Sequence, residues 1–244
     1  MKRYVLGLLL PAMLAVAAIV VIAGLRNQQP ESPTKSQRKA IDVNRFPIAE
    51  FSAPEPVDPV ERFKRRARNQ KYDRSDWGIN PEAISDSNVR FDYVDPNLPA
   101  FPFKQSKAVM IGRIIDARAY LSNDKTGIYS VFGVQVDEVL QNASQVSLTN
   151  GTSIEVEREG GRIKFPSGRI HLYMTSGQDM PRIGSRYVLF LADGNNGPVF
   201  QIVTGYELAE GRVYPLDRLL KTQRYENADE TSFLTELRLK ITDP

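Results

Sequence analysis

The sequence predicts a mainly β protein: a small antiparallel closed barrel or a sandwich, finished by one helix. Three observations lead there. From Lys107 onward, seven or eight short apolar segments are joined by turn residues, as expected for antiparallel β architectures. The first two of these segments each contain a glycine, Gly112 and Gly133, which suits sharply coiled strands. Only the C-terminal segment of this region has helical periodicity, with Phe233, Leu234, Leu237 and Ile241 as its stripe.

Ala108–Ile115 is a nearly continuous apolar run and reads as a strand buried on both faces. Ser122–Gly127 is turn chemistry, and Ile128–Leu140 is the return strand of a long hairpin. In Thr152–Glu159 the residues alternate: Ile154 and Val156 are expected inward, Glu155, Glu157 and Glu159 outward. Gly160-Gly161 turns the chain into two short strands, Arg162–Phe165 and Arg169–Met174. Ser185–Ala192 and Val199–Val203 follow, then a hairpin of Tyr206–Leu208 and Arg212–Tyr214 across Glu210-Gly211. Asn227, with Glu230 three residues on, is the expected cap of the last helix.

The first strand Val109-Met110-Ile111-Gly112-Arg113-Ile114-Ile115, the strand ending Val136-Asp137-Glu138-Val139-Leu140, Gly160-Gly161, and Tyr187–Leu191 stand in an order that resembles uncharacterised exported bacterial β-domain proteins. It is also similar to the OB-like barrel of netrin-like and metalloprotease-inhibitor domains. The resemblance covers about Lys107–Leu216 and implies a barrel but no activity. Netrin-like domains rest on disulfides, and this chain has no cysteine.

Before Lys107 the composition changes. Lys2 and Arg3 precede an uncharged run, Tyr4–Leu25, which as a helix of about 1.5 Å per residue is long enough to span a hydrocarbon core. Residues 1–25 are therefore expected to be a signal anchor, the alternative being a cleaved signal peptide. Either places the following chain outside the cytoplasm, as a single-pass membrane protein or a secreted one. Ten of the sixteen prolines fall between Arg26 and Ser106, so 26–106 reads as an extended stalk. A short basic helix is expected near 59–71, with Asp58 as cap, Pro59 in the first turn and Glu61 at the third position. Val60, Phe63 and Ala67 are its only apolar stripe; Arg62, Lys64, Arg65, Arg66, Arg68 and Lys71 are candidates for an anionic membrane surface. Trp77, Phe91, Tyr93, Phe101 and Phe103 lie beyond it among prolines, as a segment able to drape along the domain.

Composition excludes several chemistries. Without cysteine there are no disulfides, thiolate metal sites or cysteine nucleophiles. The single histidine, His171, cannot build a multi-histidine metal centre, so no metal or cofactor is expected. From Met1 to Ser106 there are 16 Lys and Arg against 12 Asp and Glu; from Lys107 on, 16 against 17. A near-neutral folded region weighs against nucleic acid as a partner. No phosphate-binding glycine loop or nucleophile elbow is present. The dense carboxylates, Asp137-Glu138 and Glu155/Glu157/Glu159, leave a carboxylate-dependent exported hydrolase as the alternative, while ion pairs with Arg162, Lys164 and Arg169 explain the second group without chemistry. The leading expectation is a non-catalytic, membrane-anchored envelope protein whose β domain binds a partner protein or a surface polymer. The expected contact is a projecting hairpin bearing Arg162, Lys164, Arg169, His171 and Tyr173.

Overall fold

Beyond Lys107, the long apolar run at Ala108 opens one of the two longest strands. In the computed structural model, β3 (Ala108–Leu121) and β4 (Ile128–Asn142) form one antiparallel hairpin. Three register shifts bend it, as bulges do. Gly112 sits at one of these, where a Cβ would lie 2.7 Å from both the Gln135 carbonyl oxygen and Val134 Cγ1. The strands approach too closely there for any side chain.

The structure describes residues 43–82, 87–90, 95–194 and 199–242, with backbone alone at Val43 and Ser87–Arg90. The expected anchor or signal peptide and the first part of the stalk, 1–42, lie outside the described residues. Among the described residues, no helix is long and apolar enough to cross a membrane.

The protein is mainly β, in two sheets. Further strands are β5 (Ser153–Glu159), β8 (Arg186–Asp193), β9 (Phe200–Ala209), β10 (Arg212–Pro215) and β11 (Ala228–Asp229). The larger sheet runs β11-β10-β9-β5-β4-β3-β8, and β8 also pairs antiparallel with β9. One pair is parallel, β5 with β9, at Val156 opposite Phe200 and Glu157 opposite Gln201. The segments Val199–Val203 and Tyr206–Leu208, read separately from sequence, belong to the one strand β9. The smaller sheet runs β1-β6-β7-β2, from β1 (Ile48–Glu50), β6 (Gly161–Lys164), β7 (Ile170–Thr175) and β2 (Ser87–Arg90). Its outer strands β1 and β2 are parallel to their neighbours.

Period-two side-chain direction divides the core. Val109, Ile111, Val188 and Phe190 meet Phe233, Leu234 and Leu237 of the C-terminal helix α2 (Glu230–Thr242). Phe101 stands among them, its ring 5.1 Å from Tyr225 and 5.6 Å from Phe233. Alternate residues, Ala108, Met110, Leu189 and Leu191, point to the other face and are equally buried. The expected helix is present, but Asp229 rather than Asn227 caps it: Ser232 N donates to Asp229 Oδ1 at 2.9 Å. Asn227 is diverted into a left-handed turn, φ 60°.

The stalk reading fails from Val43 on. The described residues belong to one compact unit, Asp42–Pro244. Phe46, Ala49, Tyr72 and Trp77 are buried, and Trp77 packs edge-on to Tyr173 at 6.2 Å. Composition misled here because a segment with few apolar residues still places Phe46, Tyr72, Trp77, Leu98 and Phe101 in the core. The draped reading fits Trp77 and Phe101. The basic helix forms as α1 (Pro59–Asn69), with Val60 N donating to the Asp58 carboxylate at 3.0 Å.

Asp124 ties this segment to the β3–β4 turn. Its carboxylate accepts from Ser122 Oγ at 2.7 Å, Arg74 N at 2.7 Å, and Thr126 N and Oγ1 at 3.0 and 2.8 Å. Desolvation alone would raise its pKa, but these donors together hold it well below the usual carboxylate range. A depressed folded pKa contributes stability that is full above the unfolded value, near 4, and is lost as pH falls through the lower folded value. Asp124→Asn is therefore expected to melt below the parent at pH 6, with the gap narrowing from about pH 4 downward. A constant gap in thermal melts from pH 6 to 2 would show that the carboxylate charge is not what matters.

Candidate functional site

α1 rests on the face of β3, β4 and β5 through polar contacts. Its sequence places Arg65, Arg68 and Asn69 on one side at helical spacing, and that side meets the sheet. Arg68 reaches Glu155 Oε2 at 2.7 Å through Nη2 and Glu157 Oε1 at 3.0 Å through Nε. Lys71 Nζ lies 3.2 Å from Glu157 Oε2, and Tyr72 OH donates to the same oxygen at 2.8 Å. The Tyr72 ring stacks on Tyr129 at 4.1 Å, and Tyr129 OH donates to Asn69 Oδ1 at 2.7 Å. Burial, with the Glu157 charge adding to it, pushes both phenols far above their ordinary range. They remain neutral donors at any physiological pH.

Beside this clamp is an open cleft of about 580 Å³, bounded by α1, the β3–β5 face and the chain around Gly194 and Val199. The Arg65 guanidinium covers the Tyr120 ring at 5.0 Å, and Tyr120 lies 5.7 Å from Tyr129. Arg118 projects from β3, with Nε 2.8 Å from Asp116 Oδ2 and Nη2 3.3 Å from Glu155 Oε1. A guanidinium over a tyrosine ring, in a concave site large enough for a ligand, is an arrangement able to bind an acidic or ring-shaped group.

The hairpin expected to bind does not present its five residues together. Arg162 pairs across to Leu172 and Lys164 to Ile170, while Ile163 pairs with His171. Arg162 and Lys164 therefore share a face with Ile170 and Leu172. His171 and Tyr173 share the opposite, buried face with Ile163. His171 packs against Phe165 at 4.8 Å. Alternation along β7 was read correctly, but the Pro166–Arg169 turn reverses its parity relative to β6. Arg169 is exposed at the turn. Lys164 pairs with Glu50 at 3.1 Å, and Arg162 donates to the Asn44 and Phe46 carbonyls. These cations hold β1 in place and do not neutralise Glu155 or Glu157; the actual partners, Arg68, Lys71 and Arg118, come from α1, the turn after it and β3.

The six cations expected to meet a membrane are placed differently too. Arg66 is bidentate to Glu55 at 2.8 and 2.7 Å, Arg62 donates to the Pro56 and Val57 carbonyls, and Lys64 pairs with Glu61 at 3.1 Å. Arg68 and Lys71 are spent on the clamp and Arg65 on Tyr120. Of the carboxylates considered for hydrolysis, Asp137 lies 3.5 Å from Arg186 and Glu138 2.8 Å from Arg238. Among the described residues no group of three or more acidic or histidine side chains is placed to hold a metal.

With this geometry in place, comparison with known proteins adds nothing: no protein-family model matches the chain, nor does any curated protein sequence. Sequence reasoning missed the Glu157 clamp. Its one signal was a third carboxylate on a short strand, more charge than a wet face needs.

Proposed function

We propose that this is a non-catalytic binding protein of the cell envelope, held at a membrane by Tyr4–Leu25, whose β domain takes a partner protein or surface polymer in the cleft beside α1. The pairing cycle β3-β4-β5-β9-β8 supports reading the larger sheet as an OB-like closed barrel. Each of these strands has two neighbours within the cycle, and its single parallel pair is β5 with β9. In OB-type barrels the second and third strands and the adjoining loops form the ligand face. Here that face is β4 and β5, the location of the cleft.

The observation that carries this reading is the combination of Arg65, Arg118 and Tyr120 at one open cleft of about 580 Å³. The ligand chemistry it favours is acidic, with a flat or ring-shaped group to lie on tyrosine. The test is photo-crosslinking in intact cells from a probe at Lys64, with and without Arg65→Glu and Arg118→Glu. Charge reversal at both positions should abolish the adduct while shifting the melting temperature by only a few degrees, since exposed pairs contribute about 0–1 kcal/mol each. An undiminished adduct on the folded double variant would remove the cleft from consideration.

A further inference from the structure

The cleft is one of two cavities that flank α1. The other, of about 460 Å³, is bounded by the opposite flank of the helix, residues 49–55 and the β3–β4 turn. Arg66 and Asn69 of α1 line this second cavity, and Glu61, Lys64 and Arg68 line the cleft. Arg65, on the side toward the sheet, lines both, and so does Tyr120. The boundary that the two cavities share is thus the Arg65 guanidinium over the Tyr120 ring, at 5.0 Å.

The second cavity repeats the chemistry of that boundary. Lys125 Nζ lies over the Phe51 ring at 4.6 Å and donates to the Phe51 carbonyl at 3.1 Å. Arg65 and Lys125 make no ion pair among the described residues. Asp124, next to Lys125 in the chain, is turned into the β3–β4 turn. The carboxylates of the second cavity are already matched, Glu50 by Lys164 at 3.1 Å and Glu55 by Arg66 at 2.7 Å. Seven cations and five carboxylates line the two cavities together, so an occupant of both is favoured by negative charge.

The geometry points to one continuous groove for a linear acidic glycan, a chain of uronic-acid-type rings that passes beneath α1 at Arg65. The inference rests on the cleft being the ligand site and names the polymer that fills it. A folded partner reaches one flank of the helix at a time, whereas a linear chain can occupy both. Phe51 and Tyr120 each offer an aromatic face beside a cation. A uronic-acid ring lies on that face while its carboxylate takes the cation, so ring and charge are satisfied by one unit. An acidic peptide carries its carboxylates on side chains with no ring for these faces. At the boundary, Arg65 leaves Tyr120 for a carboxylate and a sugar ring takes its place.

Oligogalacturonates of one to about eight units, titrated calorimetrically against the full chain in detergent, test this. Affinity should step up by about 100-fold between the length that fills one cavity and the length that reaches both, because linking two sites multiplies their effect. Lys125→Glu should remove that step and leave short oligomers bound in the cleft. Ala53→Trp, which fills the second cavity from an exposed position, should do the same. Arg118→Glu should weaken every length. Affinity independent of length overturns the proposal. So does parent affinity for the longest oligomer in either second-cavity variant that keeps the parent melting temperature; in both cases sensitivity to Arg118→Glu leaves the cleft reading standing. Binding that ignores Arg118→Glu sinks the cleft reading and this one with it. Equal affinity for oligoglutamate of matched charge would mean that no ring is recognised and that the ligand is an acidic peptide. Failure of both oligogalacturonate and oligomannuronate to bind at millimolar concentration also overturns the proposal.

Discussion

Asp217→Ala is expected to lower the stability of the protein by about 3–5 kcal/mol, the usual cost of leaving one member of a buried ion pair alone. Arg158 Nη2 and Asp217 Oδ2 are 2.6 Å apart, and both side chains are fully buried. The guanidinium also donates to the Asp179 carbonyl at 2.6 Å, while Asp217 Oδ1 accepts from Asp179 N at 3.3 Å. Three chain segments meet at this pair; when Asp217 is removed the Asp179 carboxyl stays within electrostatic reach of Arg158, but the direct 2.6 Å contact is lost. Arg158→Met with Asp217→Leu should recover most of the loss, since two apolar side chains of similar volume need no partner. Urea denaturation of the parent and the two variants measures both effects. A loss under about 1 kcal/mol for Asp217→Ala would mean that water reaches the guanidinium. The pair also bears on the site. Arg158 is the neighbour of Glu157 on β5, so fixing one side of that strand holds the carboxylate that clamps α1 on the other.

Much of the fold was legible because the strands of the larger sheet carry long apolar runs bounded by turn residues. Ala108–Ile111 and Tyr187–Leu191, buried on both faces, could hardly be read otherwise. The parallel contacts were not legible. β5 meets β9 over only two residue pairs, and β1 is three residues long, too short for any alternation to show. The Glu157 clamp was hidden for a related reason. Glu155 and Glu157 share a strand face, and only the tertiary placement of Arg68, Lys71 and Tyr72, more than 80 residues earlier in sequence, makes the second of them a buried acceptor. The orientation of α1 was hidden as well. A thin apolar stripe on a basic helix is ordinarily taken as the packed side, yet here ion pairs to the sheet decide which side faces inward.

A fragment beginning at Lys107 is expected not to fold, whereas one beginning at Val43 should melt cooperatively. Sequence periodicity alone favours the shorter fragment, because it holds nearly all the alternating strands. The structure shows what it would lack. Trp77 is fully buried among Ala49, Ile128, Ile163, Phe165 and Tyr173, and its loss alone should cost about 3–5 kcal/mol. Phe101, at the centre of the α2 cluster, would go as well. Glu157 would lose Arg68, Lys71 and Tyr72 together, and with them the contacts that tie α1 to β5. Against a typical total of about 5–15 kcal/mol, these losses exceed what the shorter fragment can spare. Trp77→Ala in the longer fragment separates the aromatic term from the clamp, and Glu157→Leu in the same background removes the carboxylate that the clamp neutralises. Far-ultraviolet circular dichroism during thermal melts reads all four proteins. A Lys107–Pro244 fragment that melts cooperatively within a few degrees of Val43–Pro244 would show that the segment from Val43 to Ser106 only leans on the domain and does not complete its core.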